Sequence, residues 1–259
     1  MFHSVKSYLK FLWHSKNEHG VHSPFVFNLV TQCFYDKKRY PKYESLKEHR
    51  QLLLENKLSI EVTDFGAGSK VFKSNKRAIN QIAKNAGISA KSAELLFRIV
   101  NYFQPDYILE IGTSVGLATA ALSLGNTNTK VYSLEGCPKT ADIAKTLFHH
   151  CGFFNIRVET VEFSDYLKNW TLPNANFHLI YFDGNHSKAA TLDYFELLLP
   201  TISNDTVWIF DDIHWSTDME EAWKIIKEHP QVTVTIDTFQ WGFVFFRKEQ
   251  PKEHFVIRI

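Results

Sequence analysis

The sequence predicts an α/β fold, a mostly parallel sheet covered on both faces by helices, and three observations carry that prediction. Beyond residue 105, short apolar runs alternate with helical stretches. The runs are apolar at nearly every position, as strands buried on both faces are. Several stop at an acid or a glycine, where a strand hands over to a helix.

In order along the chain, Pro105 and Asp106 end a helical stretch, and residues 107–111 form the first strand of the series, closed by Gly112. Residues 117–124 are helical, 130–134 a short strand, and 140–150 a helix stopped by Gly152, a residue suited to the left-handed turn that ends helices. The cycle repeats with strands at 156–161, 177–182 and 206–210 and helices at 164–170 and 189–199, the latter ended by Pro200. After a helix at 219–229 the rhythm breaks. Residues 232–238 and 243–247 are β-rich runs joined across Gln240-Trp241-Gly242 and read as an antiparallel hairpin, which makes seven strands. Upstream, residues 5–13, 24–35, 43–57 and 74–104 read as helices, with one β-like run at 59–63. The expected organisation is a helical extension over residues 1–87, a lid or a homodimer contact, followed by an α/β domain over 88–259. Ser23 before Pro24 reads as the start of a helix, and the segment around it, 19–27, as either a cover over the site or a packed extension.

Composition narrows the function. The chain has 259 residues, with 29 Lys+Arg against 28 Asp+Glu. That length supports one large core or two small ones, and the near-neutral balance gives no field to attract a nucleic acid. Three cysteines, an odd number without a C-x-x-C pair, point to a reducing, cytoplasmic setting. No apolar run approaches the roughly 20 residues of a membrane span, so no stable membrane insertion is expected. Aromatic residues are abundant, with 22 Phe, 10 Tyr and 6 Trp.

Two loops resemble nucleotide-binding turns: Asp64-Phe65-Gly66-Ala67-Gly68-Ser69 and Glu110-Ile111-Gly112-Thr113-Ser114-Val115-Gly116. A nucleoside site also wants an acid about 20 residues on, at the end of the next strand. The second loop meets this condition with Glu135-Gly136, and the first does not, so the first reads as a structural turn or a lid. Asp183, Asp211 and Asp212 each fall at the end of a predicted strand and share the carboxyl edge of the sheet, where ligands bind in open α/β folds. Each is also placed to cap the helix that follows, although capping does not account for two adjacent acids.

The runs YILEIGTSVGLAT, VYSLEGCP, FHLIYFDGNHS and TVWIFDDIHW resemble, in order and spacing, class I S-adenosylmethionine-dependent methyltransferases. The similarity, over about residues 88–248, is greatest to the catechol and caffeoyl-CoA type and to the macrocin-type sugar O-methyltransferases. It implies a Rossmann-like sheet whose hairpin matches that family's last two strands. By resemblance, Glu110 and the backbone of Gly112 and Thr113 hold the methionine part of the cofactor, and Gly116 lets the helix approach. Glu135 takes the ribose hydroxyls, with Ser114 and Gly136 completing the set. The family often carries Ser where this chain has Ala118. Asp183, Asp211 and Asp212 stand where the family binds a divalent metal, and oxygen ligands suit Mg²⁺. The catechol type has Asn in place of Asp212.

Three residues after Asp183, where the catechol type has a Lys base, stands His186, the first candidate for a general base; His214 is the second. His149, His150 and Cys151 are successive helical residues and cannot converge on one ion. Trp215 and Trp241 are expected to line an acceptor pocket, whereas Trp208 and Trp223 read as core. The implied activity is methyl transfer to a hydroxyl of a small molecule with help from a metal. The alternatives are metal-independent N- or O-methylation and a cofactor-binding regulator without catalysis.

Overall fold

The computed structural model describes residues 2–63, 74–170 and 177–259; the Asp64–Ser69 loop lies outside them. Helix α1 spans Phe2–His14 and α2 Pro24–Leu29, the latter continued by a π turn over Val30–Phe34. The Ser23 hydroxyl accepts the Val26 N–H and Pro24 occupies the first turn, as the sequence predicts. Helix α3 covers Lys42–Glu55, and a two-stranded ribbon pairs β1 (Ser59–Glu61) with β2 (Lys76–Ala78). Helices α4 (Ile79–Asn85) and α5 (Ala90–Phe103) follow. Helix α5 is capped by Ser89 and ends on Gln104 in a left-handed conformation just before Pro105.

The main sheet then forms in alternation. Its strands are β3 (Tyr107–Ile111), β4 (Lys130–Glu135), β5 (Ile156–Thr160), β6 (Leu179–Phe182), β7 (Val207–Phe210), β8 (Val234–Asp237), β9 (Gly242–Phe245) and β10 (Glu253–Val256). Between them run α6 (Leu117–Gly125), α7 (Pro138–Cys151), α8 (Phe163–Lys168), α9 (Lys188–Leu198) and α10 (Thr217–Glu228). The spatial order is β10-β8-β9-β7-β6-β3-β4-β5, and β9 alone runs antiparallel to its neighbours. The hairpin and the mostly parallel, Rossmann-like sheet are as the sequence predicts. The eighth strand, β10, is an addition: it pairs in parallel with β8 at the sheet edge, and only Phe255 of its four residues is buried.

Because β4 and β5 lie on one side of β3 while β6 and β7 lie on the other, the strand order reverses between β3 and β6. A crevice opens at such a reversal, at the carboxyl ends of the strands. Helices cover both sheet faces. On one, Phe182 and Phe210 stack at 4.2 Å, with Phe195, Trp208 and Trp223 around them. Each such ring taken out of water contributes roughly 1.5–3 kcal/mol. On the other face, Val26, Leu29 and Leu53 of the extension share a continuous core with α5, α6 and the strands.

Two contacts locate the extension against the site. Phe25 packs edge-on to Phe245 at 5.0 Å, and Phe245 pairs with Val207 at the start of β7. Phe25, in the segment expected to cover the site, thus meets the sheet at the opposite edge. It is α1 that reaches the carboxyl edge, where Tyr8 and Phe11 pack on Phe239 at 4.9 and 5.5 Å, just beyond the end of β8. Deeper in, His49 of α3 is fully buried and stacks on Phe148 of α7 at 5.8 Å, with neither ring nitrogen partnered. Burial, with Arg50 beside it, pushes its pKa down to about 4, so the ring is neutral.

Candidate functional site

The loop after β3 is held by glycines that the geometry requires. Gly112 adopts φ +104°, and a Cβ there would lie 2.4 Å from the carbonyl oxygen of Asp183. Gly116 adopts φ +88°, and its missing Cβ makes room for the Phe148 ring. The Gly112 and Thr113 N–H groups both donate to the Leu134 carbonyl at 3.0 Å, which ties this loop to the end of β4.

Two carboxylates frame the loop. Glu135, at the end of β4, accepts the Ser114 N–H on Oε2 at 2.7 Å and the Cys137 N–H on Oε1 at 2.9 Å. A carboxylate oxygen accepts more than one donor, so this arrangement fixes the orientation of Glu135 while keeping acceptor capacity. Glu110 is completely buried. Its Oε2 accepts the hydroxyls of Thr119 and Ser133, and its Oε1 is buried without a partner. Burial pushes its pKa up to about 7, although the two hydroxyl bonds work in the other direction. An unpartnered buried acceptor of this kind has a place for an external cationic or N–H donor. Thr119 and Ser133 were not singled out in the sequence; the signal was a hydroxyl residue inside an otherwise apolar helix and strand.

At β6 and β7 the acids meet one another. The carboxyls of Asp183 and Asp211 lie within hydrogen-bond reach. Burial together with the charges of Asp211 and Asp212 raises the pKa of Asp183 well above the usual carboxylate range. Asp211 accepts the Tyr181 hydroxyl on Oδ2 at 2.7 Å and the Asp212 N–H on Oδ1 at 2.8 Å. Tyr181 is a further residue the sequence reading passed over, since a tyrosine within an apolar strand reads as core. Asp212 has φ +55°. Among the described residues, no three His, Cys, Asp or Glu side chains converge as a ready metal cluster; the structure joins Asp183 and Asp211 and leaves Asp212 acting on them through its charge.

His186 places Nε2 3.5 Å from Asp183 Oδ1. Burial lowers its pKa and the Asp211 charge partly offsets this, which keeps the imidazole neutral and able to accept a proton. His214 has a different place from the one expected. Its Nδ1 lies 2.8 Å from Glu220 and its Nε2 2.9 Å from Asp237, and the ring stacks on Phe239. Burial alone would lower its pKa, but Asp237 and Glu220 outweigh burial and raise it. With both ring nitrogens engaged by carboxylates, His214 braces Glu220 of α10 against Asp237 at the end of β8. Trp241 is likewise corrected from pocket wall to core, being buried edge-on against Tyr181; Trp215 is partly exposed. Trp208 and Trp223 are core, as expected, and His149 and His150 form the last turn of α7 before Gly152.

Four non-glycine residues with positive φ, Ser114, Asn185, Asp212 and Phe239, lie in the turns after β3, β6, β7 and β8. Backbone strain is thus concentrated along the edge that holds the carboxylates.

Residues 109–213 match a family model described as a methyltransferase domain. No curated protein matches the sequence. Among solved structures, the chain is similar to the SAH-bound methyltransferase PaMTH1 of Podospora anserina, at 15% identity and TM-score 0.62 over 88% of this chain and 97% of that one. It is also similar to the O-methyltransferase TomG of Streptomyces achromogenes, in complex with SAM and involved in tomaymycin synthesis, at 16% identity and TM-score 0.59 over 84% and 95%. A Bacillus cereus O-methyltransferase in complex with SAH aligns at 21% identity and TM-score 0.55 over 85% and 95%. The matched domain, the strand order and the glycine loop at its reversal give this chain the Rossmann-like fold shared by these methyltransferases.

Proposed function

We propose that the protein methylates a hydroxyl group of a small molecule, using S-adenosylmethionine bound at the ends of β3 and β4. The observation that carries this reading is the unpartnered, buried Oε1 of Glu110 next to a glycine loop whose Ser114 N–H orients Glu135. Glu110 is suited to the cofactor's amino group and Glu135 to its ribose hydroxyls, with the backbone at Gly112, Thr113, Ser114, Gly116 and Gly136 closing around them. When bound, the cofactor supplies a sulfonium methyl group and its own leaving group. The protein aligns the acceptor, and the imidazole of His186, beside Asp183, takes the hydroxyl proton as the oxygen–methyl bond forms.

The contact between Asp183 and Asp211 suits a divalent cation, Mg²⁺ by the hardness of its oxygen donors, with Asp212 adding charge. Such an ion would lower the pKa of the acceptor hydroxyl and direct it. A metal-independent reaction is favoured instead by the engagement of both Asp211 oxygens in internal hydrogen bonds. Turnover in the presence of chelator, and in Asp212→Asn, separates the two. The primary test is calorimetry with S-adenosylmethionine: saturable binding that Glu135→Ala weakens is expected, and no binding by the native chain sinks the reading. A near-neutral chain favours a small acceptor over a nucleic acid, and labelled-cofactor screening of metabolites would identify it.

A further inference from the structure

Helix α1 has two unlike faces. On the first, Phe11 is buried, Tyr8 and Phe11 pack on Phe239, and His3 lies 3.7 Å from Glu220. On the second, Val5, Leu9 and Trp13 are 56%, 62% and 87% exposed. Spaced four apart, they form one row along the helix. Lys6 and Lys10, each one residue on from Val5 and Leu9 and therefore about 100° round the helix, border that row and are exposed. The helix contains no Asp or Glu. Just past its end, exposed Lys16 receives the Arg258 N–H on its carbonyl, which adds two more cations to the same end of the molecule.

Single exposed apolar residues are ordinary, but a contiguous row with a tryptophan almost wholly outside the protein is not. We propose that this face of α1 rests on an anionic lipid surface. The chemistry fits: an apolar row to enter the headgroup boundary, a tryptophan suited to that interface, and a lysine margin to meet lipid phosphates. Thirteen residues make a helix of about 20 Å, too short to span a bilayer and suited to lying in its plane. A second copy of the chain fits less well. A two-fold contact between α1 helices would bring their lysine margins together without an acid in either helix to meet them. The location adds a consequence. Through Phe239, α1 is anchored to the same sheet edge as Asp211, so a lipid-bound molecule would hold its acceptor side close to the membrane surface.

The test is sedimentation of the full chain with vesicles of phosphatidylcholine alone and of phosphatidylcholine with phosphatidylglycerol at roughly 7:3. Binding to the anionic vesicles only is expected, and it should weaken as salt rises. Leu9→Lys with Trp13→Ser should lower the partition coefficient by about tenfold or more, and Lys6→Glu with Lys10→Glu by a similar factor. All four side chains are exposed, and unchanged circular dichroism would confirm that the fold survives. Equal binding to neutral vesicles, or binding unaffected by either pair of substitutions, overturns the proposal. So does a lipid-free dimer that Leu9→Lys dissociates, which would assign the face to a second copy. None of these readouts depends on cofactor binding or turnover.

Discussion

Along the carboxyl edge of the sheet, the ends of β3 and β4 hold their acids in different company from the ends of β6 and β7. Glu110 and Glu135 are surrounded by donors: hydroxyls of Thr119 and Ser133 for one, backbone N–H groups of Ser114 and Cys137 for the other. Asp183 faces Asp211, with the charge of Asp212 acting on it, and its pKa is raised in consequence. The first region is organised before any ligand arrives. The second brings like charges together and is eased by a proton, a cation or a substrate among its acids.

Substitutions can break or sharpen this contrast. The largest effect is expected at Gly112, where the two regions touch. In Gly112→Ala the new Cβ collides with the Asp183 carbonyl at a φ that side chains avoid, and thermal unfolding should show a loss of about 3–4 kcal/mol. A Tm within a degree of the native value would mean that the two regions are not rigidly registered. On the acceptor side, His186→Ala should lower kcat by about a hundredfold while leaving cofactor affinity intact, and should remove the acid limb of the pH–rate profile. An unchanged limb would show that His186 is not the base.

On the cofactor side the reverse signature is expected. Glu135→Ala should raise the cofactor Kd by roughly tenfold to a hundredfold, as read by calorimetry. The smallest effect concerns His49, which stacks on the Phe148 ring that fills the space beside Gly116. Its folded pKa of about 4 lies below the ordinary imidazole value, so the unfolded chain takes up the proton first as pH falls. Stability is therefore full well above pH 6.5 and declines as pH approaches 4, by about 1.4 kcal/mol near pH 5.5. In His49→Phe that decline should vanish, as followed by denaturant melts across pH. A slope that persists would place its origin elsewhere.

The same contrast explains what the sequence disclosed. The glycine turn after β3 was legible because its pattern is local: glycines, an acid at the strand end and a following helix lie within a few residues of one another. The surroundings of His214 were not legible because its partners, Glu220 and Asp237, come from different elements, and nothing near residue 214 announces that both ring nitrogens are engaged. Trp241 beside a hairpin turn looked like a pocket wall, yet Tyr181 of β6 buries it. Strand β10 gave little signal because an edge strand with one buried residue carries no apolar run. The same is true of β2, three residues reading Lys-Arg-Ala.

Residue 16 forms a parallel bridge with Ile257, Ser23 donates to Gln250, and Tyr35 donates to the Arg258 carbonyl across 223 residues of sequence. Synthesis runs from the amino end, so residues 16–35 cannot close onto residues 250–258 until the long stretch between them has left the ribosome. Meanwhile the apolar side chains of α2 and α3 wait without the strands that bury them. These contacts of long sequence separation consequently form in a late folding step, and until then residues 16–35 are open to a chaperone.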